Sequence, residues 1–147
     1  MPTRKILEIL IENQDFSKYL DHLKKSPSQQ LIHGMADGQK SLWIGATAVS
    51  VRRPLLIITE SVSESKNIYL DLLNYVPEST IAFLPPRETI FHGLYARSRD
   101  LTAERIKVLS RLLQGRISCL VAPAEVLLQK LTPMKLINEY NFKIEAG

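Results

Sequence analysis

The residues whose types and spacing hold the most chemistry are Gly34-Met35-Ala36-Asp37-Gly38-Gln39-Lys40-Ser41. A phosphate-binding loop has glycine, four residues, glycine, lysine, then serine or threonine. Its backbone N–H groups and a helix N-terminus surround the phosphates, the lysine reaches their terminal oxygens, and the hydroxyl holds Mg²⁺. Gly34, Lys40 and Ser41 stand at matching positions. Gln39 takes the place of the second glycine, and Gly38 lies one position early. A side chain there crowds the phosphate, and the backbone conformation suits glycine best. Hydrolysis also needs a carboxylate at a strand end to organise Mg²⁺ and water. The apolar run Ile117–Val121 leads instead into Ala122-Pro123-Ala124, with no acid before Glu125. Glu60 follows Leu55–Thr59 but stands at a helix start, where its charge favours the N-terminus. Gly34, Gly38, Lys40 and Ser41 therefore read as a vestigial phosphate loop.

Other constellations offer less. His22, His33 and His92 are far apart, with no cysteine or second histidine at metal-ligand spacing, so no metal site is expected. No serine sits in a nucleophile-elbow sequence, so no catalytic residue is expected. Cys119 reads as a small buried hydrophobe and Trp43 as core, whereas Tyr95, between Gly93 and Arg97, reads as exposed. Between Arg87 and Arg116 lie seven basic residues and three acidic ones, while the remainder of the chain balances. Such a segment can approach phosphate backbones or an acidic partner, with Arg97 and Arg99 the candidate contacts. It fits a solvated helix face equally, because Arg105, Lys107 and Arg111 do not share one side.

The elements that must position these residues alternate in type. Phe16, Tyr19, Leu20 and Leu23 form one helical stripe, with Asp15 as its cap and Ser26-Pro27-Ser28 as its stop. Gln30–His33 reads as a short strand. Gln39–Val51 is a helix apolar almost all round, hence buried on most sides. Pro54 ends it, and Leu55–Thr59 is a continuous apolar strand of the kind found in a parallel sheet covered on both faces. Ser61–Glu64 is a capping box for a helix carrying Ile68, Leu72, Tyr75 and Val76 inward, closed by Pro77. Thr80–Leu84 is the next strand, and an irregular stretch runs from Pro85 to Arg99. Asp100 caps a helix with Leu101, Val108, Leu109, Leu112 and Leu113 on its buried side and Gly115 as its stop. Strand Ile117–Val121 follows, then a short helix with Pro123 first, one more turn capped at Thr132-Pro133, and an edge strand at Phe142–Glu145. Strands separated by helices imply right-handed crossovers and a mostly parallel α/β sheet flanked by helices.

With 147 residues the chain suits one core, read as a helical lead over 1–28 and an α/β domain over 29–147. Apolar residues at 45% and charged residues at 23% are ordinary for soluble proteins. No apolar run approaches the ~20 residues of a membrane helix. Glutamates interrupt Ile6–Ile11 and its flank, without a cleavage site, so the expected compartment is the cytoplasm.

The ordered features resemble a known family. They run Leu31-Ile32-His33-Gly34, Gly38-Gln39-Lys40-Ser41-Leu42, Arg53-Pro54-Leu55-Leu56-Ile57-Ile58-Thr59, Asp71-Leu72-Leu73 and Leu84-Pro85-Pro86-Arg87-Glu88-Thr89. Glu104-Arg105, Leu109, Leu112, Val121-Ala122-Pro123, Leu127-Leu128-Gln129 and Leu131-Thr132-Pro133 complete the series. From about Gln29 to Gly147 this is similar to the N-terminal region of bacterial transcription-repair coupling factors. That region is similar in turn to the first domain of the excision-repair protein UvrB, a nucleotide-binding core of RecA-like shape, with its loop degraded. Arg87 stands where relatives commonly have an aromatic. The resemblance implies a non-catalytic scaffold or interaction domain, with no cofactor in this segment. It implies that ATP and Mg²⁺ belong to later domains of a DNA-translocating ATPase, as do RNA polymerase and DNA. It further implies contact with the excision-repair protein UvrA through the domain that follows. Two other readings start from the residues themselves. One is a small P-loop NTPase or helicase-like fragment that binds ATP; the other is a nucleic-acid module using the Arg87–Arg116 segment.

Overall fold

The computed structural model describes residues 2–25, 29–51, 53–87, 99–131 and 133. It opens with helices α1 (Pro2–Ile11) and α2 (Gln14–Lys25). The cap of α2 is Asn13, whose Oδ1 accepts from the Asp15 and Phe16 N–H groups at 2.9 and 3.3 Å. Asp15 is not the cap, because a capping side chain must precede the first turn to reach its free N–H groups. The apolar stripe holds: Phe16 and Leu20 are buried and pack with Leu7 of α1 and Ala46 of the next helix.

Gln30–His33 forms no strand. Leu31 is 87% exposed, and the Gln30 side chain is drawn to the Tyr19 carbonyl of α2. Helix α3 (Asp37–Ser50) begins two residues before Gln39. Ala36 has no capping side chain, but Gln39 Oε1 accepts from its N–H at 3.0 Å, satisfying one donor at the helix start. Leu42, Trp43 and Ala46 face α1 and α2, whereas Ile44 and Ala48 face the sheet-side core, so the helix lies between two layers. Val49, half exposed, marks its open side. A Cβ on Gly45 would lie 2.8 Å from Tyr75 Cβ, so only glycine permits this approach to the turn after the next helix.

Strand β1 (Leu55–Thr59) leads into α4 (Val62–Leu72), β2 (Ile81–Phe83), α5 (Arg99–Leu113) and β3 (Cys119–Pro123). The three strands are parallel in the order β1-β3-β2, with Leu55 and Ile81 both opposite Cys119. Ser61 caps α4 by accepting from Glu64 N–H at 3.1 Å; Glu64 Oε2 reaches back to Glu60 N–H at 3.2 Å. Leu72 and Val76 are buried as expected, although Tyr75 and Val76 lie in the turn beyond the helix. Helix α5 starts at Arg99, so Asp100 sits within its first turn rather than before it. Its end is a Schellman turn: Gly115, at φ +67°, donates to Leu112 O and Arg116 to Arg111 O, each at 3.0 Å.

Strand β3 lies two residues later than Ile117–Val121. Gly115 and Arg116 complete the Schellman turn, and the first pairing group is Ser118 N–H, bonded to Thr80 O. Pro123 is therefore the last strand residue, not the first of a helix, and a 3₁₀ turn over Ala124–Leu128 follows. One face of the sheet packs Cys119, Val121 and Ile81 against Leu72 and Val76; the other packs Leu120, Ala122 and Ala82 against Val108, Leu109 and Val126. Strand β1 is not covered on both faces. Leu56 and Ile58 are 57% and 40% exposed, because the second core is built by α5 over β2 and β3 alone. The stop at Ser26–Ser28, the stretch from Glu88 to Ser98, Thr132 and the strand at Phe142–Glu145 lie outside the described residues.

Candidate functional site

At the phosphate-loop motif, the side chains of Lys40 and Ser41 and three of the backbone N–H groups have internal partners. Gly34 adopts φ +80°, the left-handed region that favours glycine, but a Cβ there would meet nothing within 4 Å. Gly38 lies inside the first turn of α3, again with open space around a Cβ. No strand feeds the loop. The N–H of Ala36 is bonded by the Gln39 side chain, and the N–H groups of Gln39 and Lys40 both take the Ala36 carbonyl, at 2.9 and 3.1 Å. A working phosphate cradle needs such N–H groups turned outward.

The two side chains are engaged as well. Lys40 Nζ lies 2.9 Å from Asp37 Oδ1, on the solvent side of the helix start. The hydrogen bond and charge of Asp37, with a smaller contribution from Glu64, hold the Lys40 ammonium above its ordinary pKa. Ser41 is buried, and its hydroxyl donates to Asp71 Oδ2 at 2.9 Å. Asp71 stands in the last turn of α4, where a carboxylate opposes the helix dipole and gains from a donor. The hydroxyl in the magnesium-holding position thus joins α3 to α4. The Asp37–Lys40 pair was legible as an i, i+3 spacing. The Ser41–Asp71 pair spans 30 residues and has no local signal.

Strand β3 ends in Pro123, followed by Ala124 and the exposed Glu125. At the end of β1, Thr59 Oγ1 lies 2.5 Å from Ser65 Oγ and 2.9 Å from Ser61 O, and the exposed Glu60 follows, its N–H donating to Glu64 Oε2 at 3.2 Å. Among the described residues no three His, Cys, Asp or Glu side chains group as a metal site. Cys119 is fully buried, and burial pushes its thiol up to about 11. Trp43 packs edge-on against Phe16 and Tyr19, with ring centroids 4.9 and 5.4 Å away, as a core residue.

The basic segment divides in the structure. Arg97 lies outside the described residues, and Arg99 opens α5. Arg105 is a buried residue, not part of a solvated face: its Nη1 donates to Pro85 O, and burial followed by the charge of Arg87 lowers its pKa. Arg111 Nη2 donates to Ser79 O at 2.9 Å and Ile81 O at 3.2 Å. Two cations of α5 therefore hold backbone carbonyls on either side of β2. Arg87 is itself tied down through its N–H to Gln129 Oε1 at 2.8 Å. Sequence patterns show charge but not which carbonyl it serves.

No helix among the described residues is long and apolar enough to cross a membrane. No family model matches the chain, and no solved structure matches it. Curated proteins do. The transcription-repair-coupling factor of Bacillus subtilis (strain 168) is 24% identical over 136 residues, covering 92% of this chain. That of Staphylococcus epidermidis (strain ATCC 12228) is 23% identical over 117 residues, or 80% of the chain, and that of Staphylococcus aureus (strain NCTC 8325) is 22% identical over 142 residues, or 97%. The chain spans only 10–12% of the length of these relatives. Over most of its own length, then, this chain is similar to the transcription-repair-coupling factors.

Proposed function

We propose that the chain acts as a non-catalytic scaffold domain of a cytoplasmic, ATP-driven transcription-coupled repair protein, positioning an adjoining repair-recruitment domain. The observation that carries this reading is the rewired loop. Ser41 serves Asp71, Lys40 serves Asp37, and the N–H groups of Ala36, Gln39 and Lys40 serve Gln39 and Ala36. Nucleotide binding would have to break these contacts, and β3 ends in Pro123 rather than in a carboxylate that could hold Mg²⁺. Contacts with other domains, and through them with the excision-repair protein UvrA, RNA polymerase and DNA, complete the proposal; ATP and Mg²⁺ are assigned to those other domains.

Thermal melting with Mg-ATP tests it. About 1 mM Mg-ATP should leave the melting temperature unchanged. A site with Kd of about 100 µM would add roughly 1.4 kcal/mol by mass action, a rise of about 3–6 °C for a domain of this size. A rise of that size, lost in Lys40→Ala, would establish the nucleotide-binding reading instead.

A further inference from the structure

Strand β1 is an edge of the sheet. Leu55 N–H bonds to Ser118 O, so the alternation of a strand turns the backbone groups of Leu56 and Ile58 away from β3. Those groups have no hydrogen-bond partner among the described residues, and the two residues are 57% and 40% exposed. Beside this edge runs a groove of about 380 Å³. It is lined by β1, by the half-buried Trp43 and Ile44 of α3, and by Ile32 and Met35 from the segment before α3. Ile44 shares a core with Leu55 and Ile57, so α3 lies on the face of the sheet opposite Leu56 and Ile58. A strand added at this edge would have one covered side, over α3, and one open side. Such a place selects a sequence that alternates apolar and charged residues.

We propose that Phe142–Glu145 occupies this groove as a fourth strand, antiparallel to β1. Its residues alternate as the place requires, with Phe142 and Ile144 apolar and Lys143 and Glu145 charged. In the antiparallel register the backbones of Lys143 and Glu145 meet those of Ile58 and Leu56, which sets Ile144 beside Ile57 and Phe142 beside Thr59. The stem of Lys143 then covers Ile58 while its ammonium stays in water. The chain is long enough to reach. Gln129 accepts from the Arg87 N–H beyond β2, three strand spacings from the groove, or about 14 Å. Residues 130–141 span up to about 40 Å.

The test uses the full chain. A nitroxide on Lys143→Cys should broaden the ¹⁵N-resolved amide signals of Leu56 and Ile58 and spare those of Ile81 and Phe83 at the opposite edge; the buried Cys119 stays unlabelled. The Leu56 and Ile58 amides should also exchange slowly with solvent. Phe142→Asp/Ile144→Asp should raise their exchange rates about tenfold or more and shift the emission of Trp43, the only tryptophan, to the red. Lys143→Ala should change neither. The proposal fails if the nitroxide spares β1, if it broadens the β2 edge instead, or if the double variant leaves exchange at Leu56 and Ile58 unchanged. It fails also if a nitroxide-bearing chain without ¹⁵N broadens these amides in an unlabelled ¹⁵N chain mixed with it, which would place a second copy at this edge.

Discussion

Replacing Ser41 by alanine should damage the domain more than replacing Lys40, the reverse of what a working phosphate loop needs for its chemistry. Ser41 is 2% exposed, and its hydroxyl makes a 2.9 Å bond to the Asp71 carboxylate. A hydrogen bond to a charged group contributes about 1.5–3 kcal/mol, and a partly exposed acceptor belongs at the lower end. Ser41→Ala should therefore cost about 1–2 kcal/mol, or roughly 2–8 °C in melting temperature. Asp71→Ala leaves the buried hydroxyl without its acceptor and should cost a similar amount. The double variant should cost clearly less than the sum, with a coupling of about 0.5–1.5 kcal/mol. Lys40 keeps only an exposed i, i+3 pair with Asp37, whose side chain is 98% exposed, so Lys40→Ala should leave the urea midpoint nearly where it is. Urea melts of the four variants decide the matter. Additive losses at Ser41 and Asp71 would refute the structural role of the hydroxyl. A larger loss at Lys40 than at Ser41 would show that the loop holds an anion.

Two further substitutions probe the layers around the loop. Ile44 packs toward Leu72 and the sheet from the middle of α3, so Ile44→Asp should unfold the domain or cost several kcal/mol, read by circular dichroism and urea melting. Cys119 tests burial of the central strand. Its folded pKa is raised from 9.0 to about 11, so its stabilising contribution is full below pH 9 and lost as the pH rises toward 11. Cys119→Val should remove that part of the alkaline decline in melting temperature, and native Cys119 should resist thiol reagents until the domain unfolds.

What the sequence shows and what it hides divide along the range of the interactions. Periodicity places α4 and β1 closely, because Ile68, Leu72 and the run Leu55–Thr59 report local burial. It also places the Gly115 stop, which depends on one backbone conformation. Errors gather where a neighbour decides. Gln30–His33 has strand-like composition but leaves Leu31 exposed and joins no sheet, and Leu56 and Ile58 look like core although both are exposed. Boundaries slipped at Asn13, Asp100 and Pro123, where one side chain or one missing N–H fixes the end of an element. The candidate site was legible as a motif with a misplaced glycine; its rewiring was not, because Asp71 lies a whole strand and helix away.

The loop's residues can thus be read by what they now touch. A serine buried against a carboxylate on the neighbouring helix sets how α3 meets α4, and Gly45 sets how closely, through its contact with Tyr75. The same helix joins α1 and α2 on its other side, through Trp43 and Ala46. Because α3 belongs to both apolar layers, displacing its N-terminal turn to admit a phosphate would strain the packing on each side. In this arrangement rigidity of the helix start and phosphate binding are competing uses of the same few groups. The bonds of Gln39 and Ser41 favour rigidity.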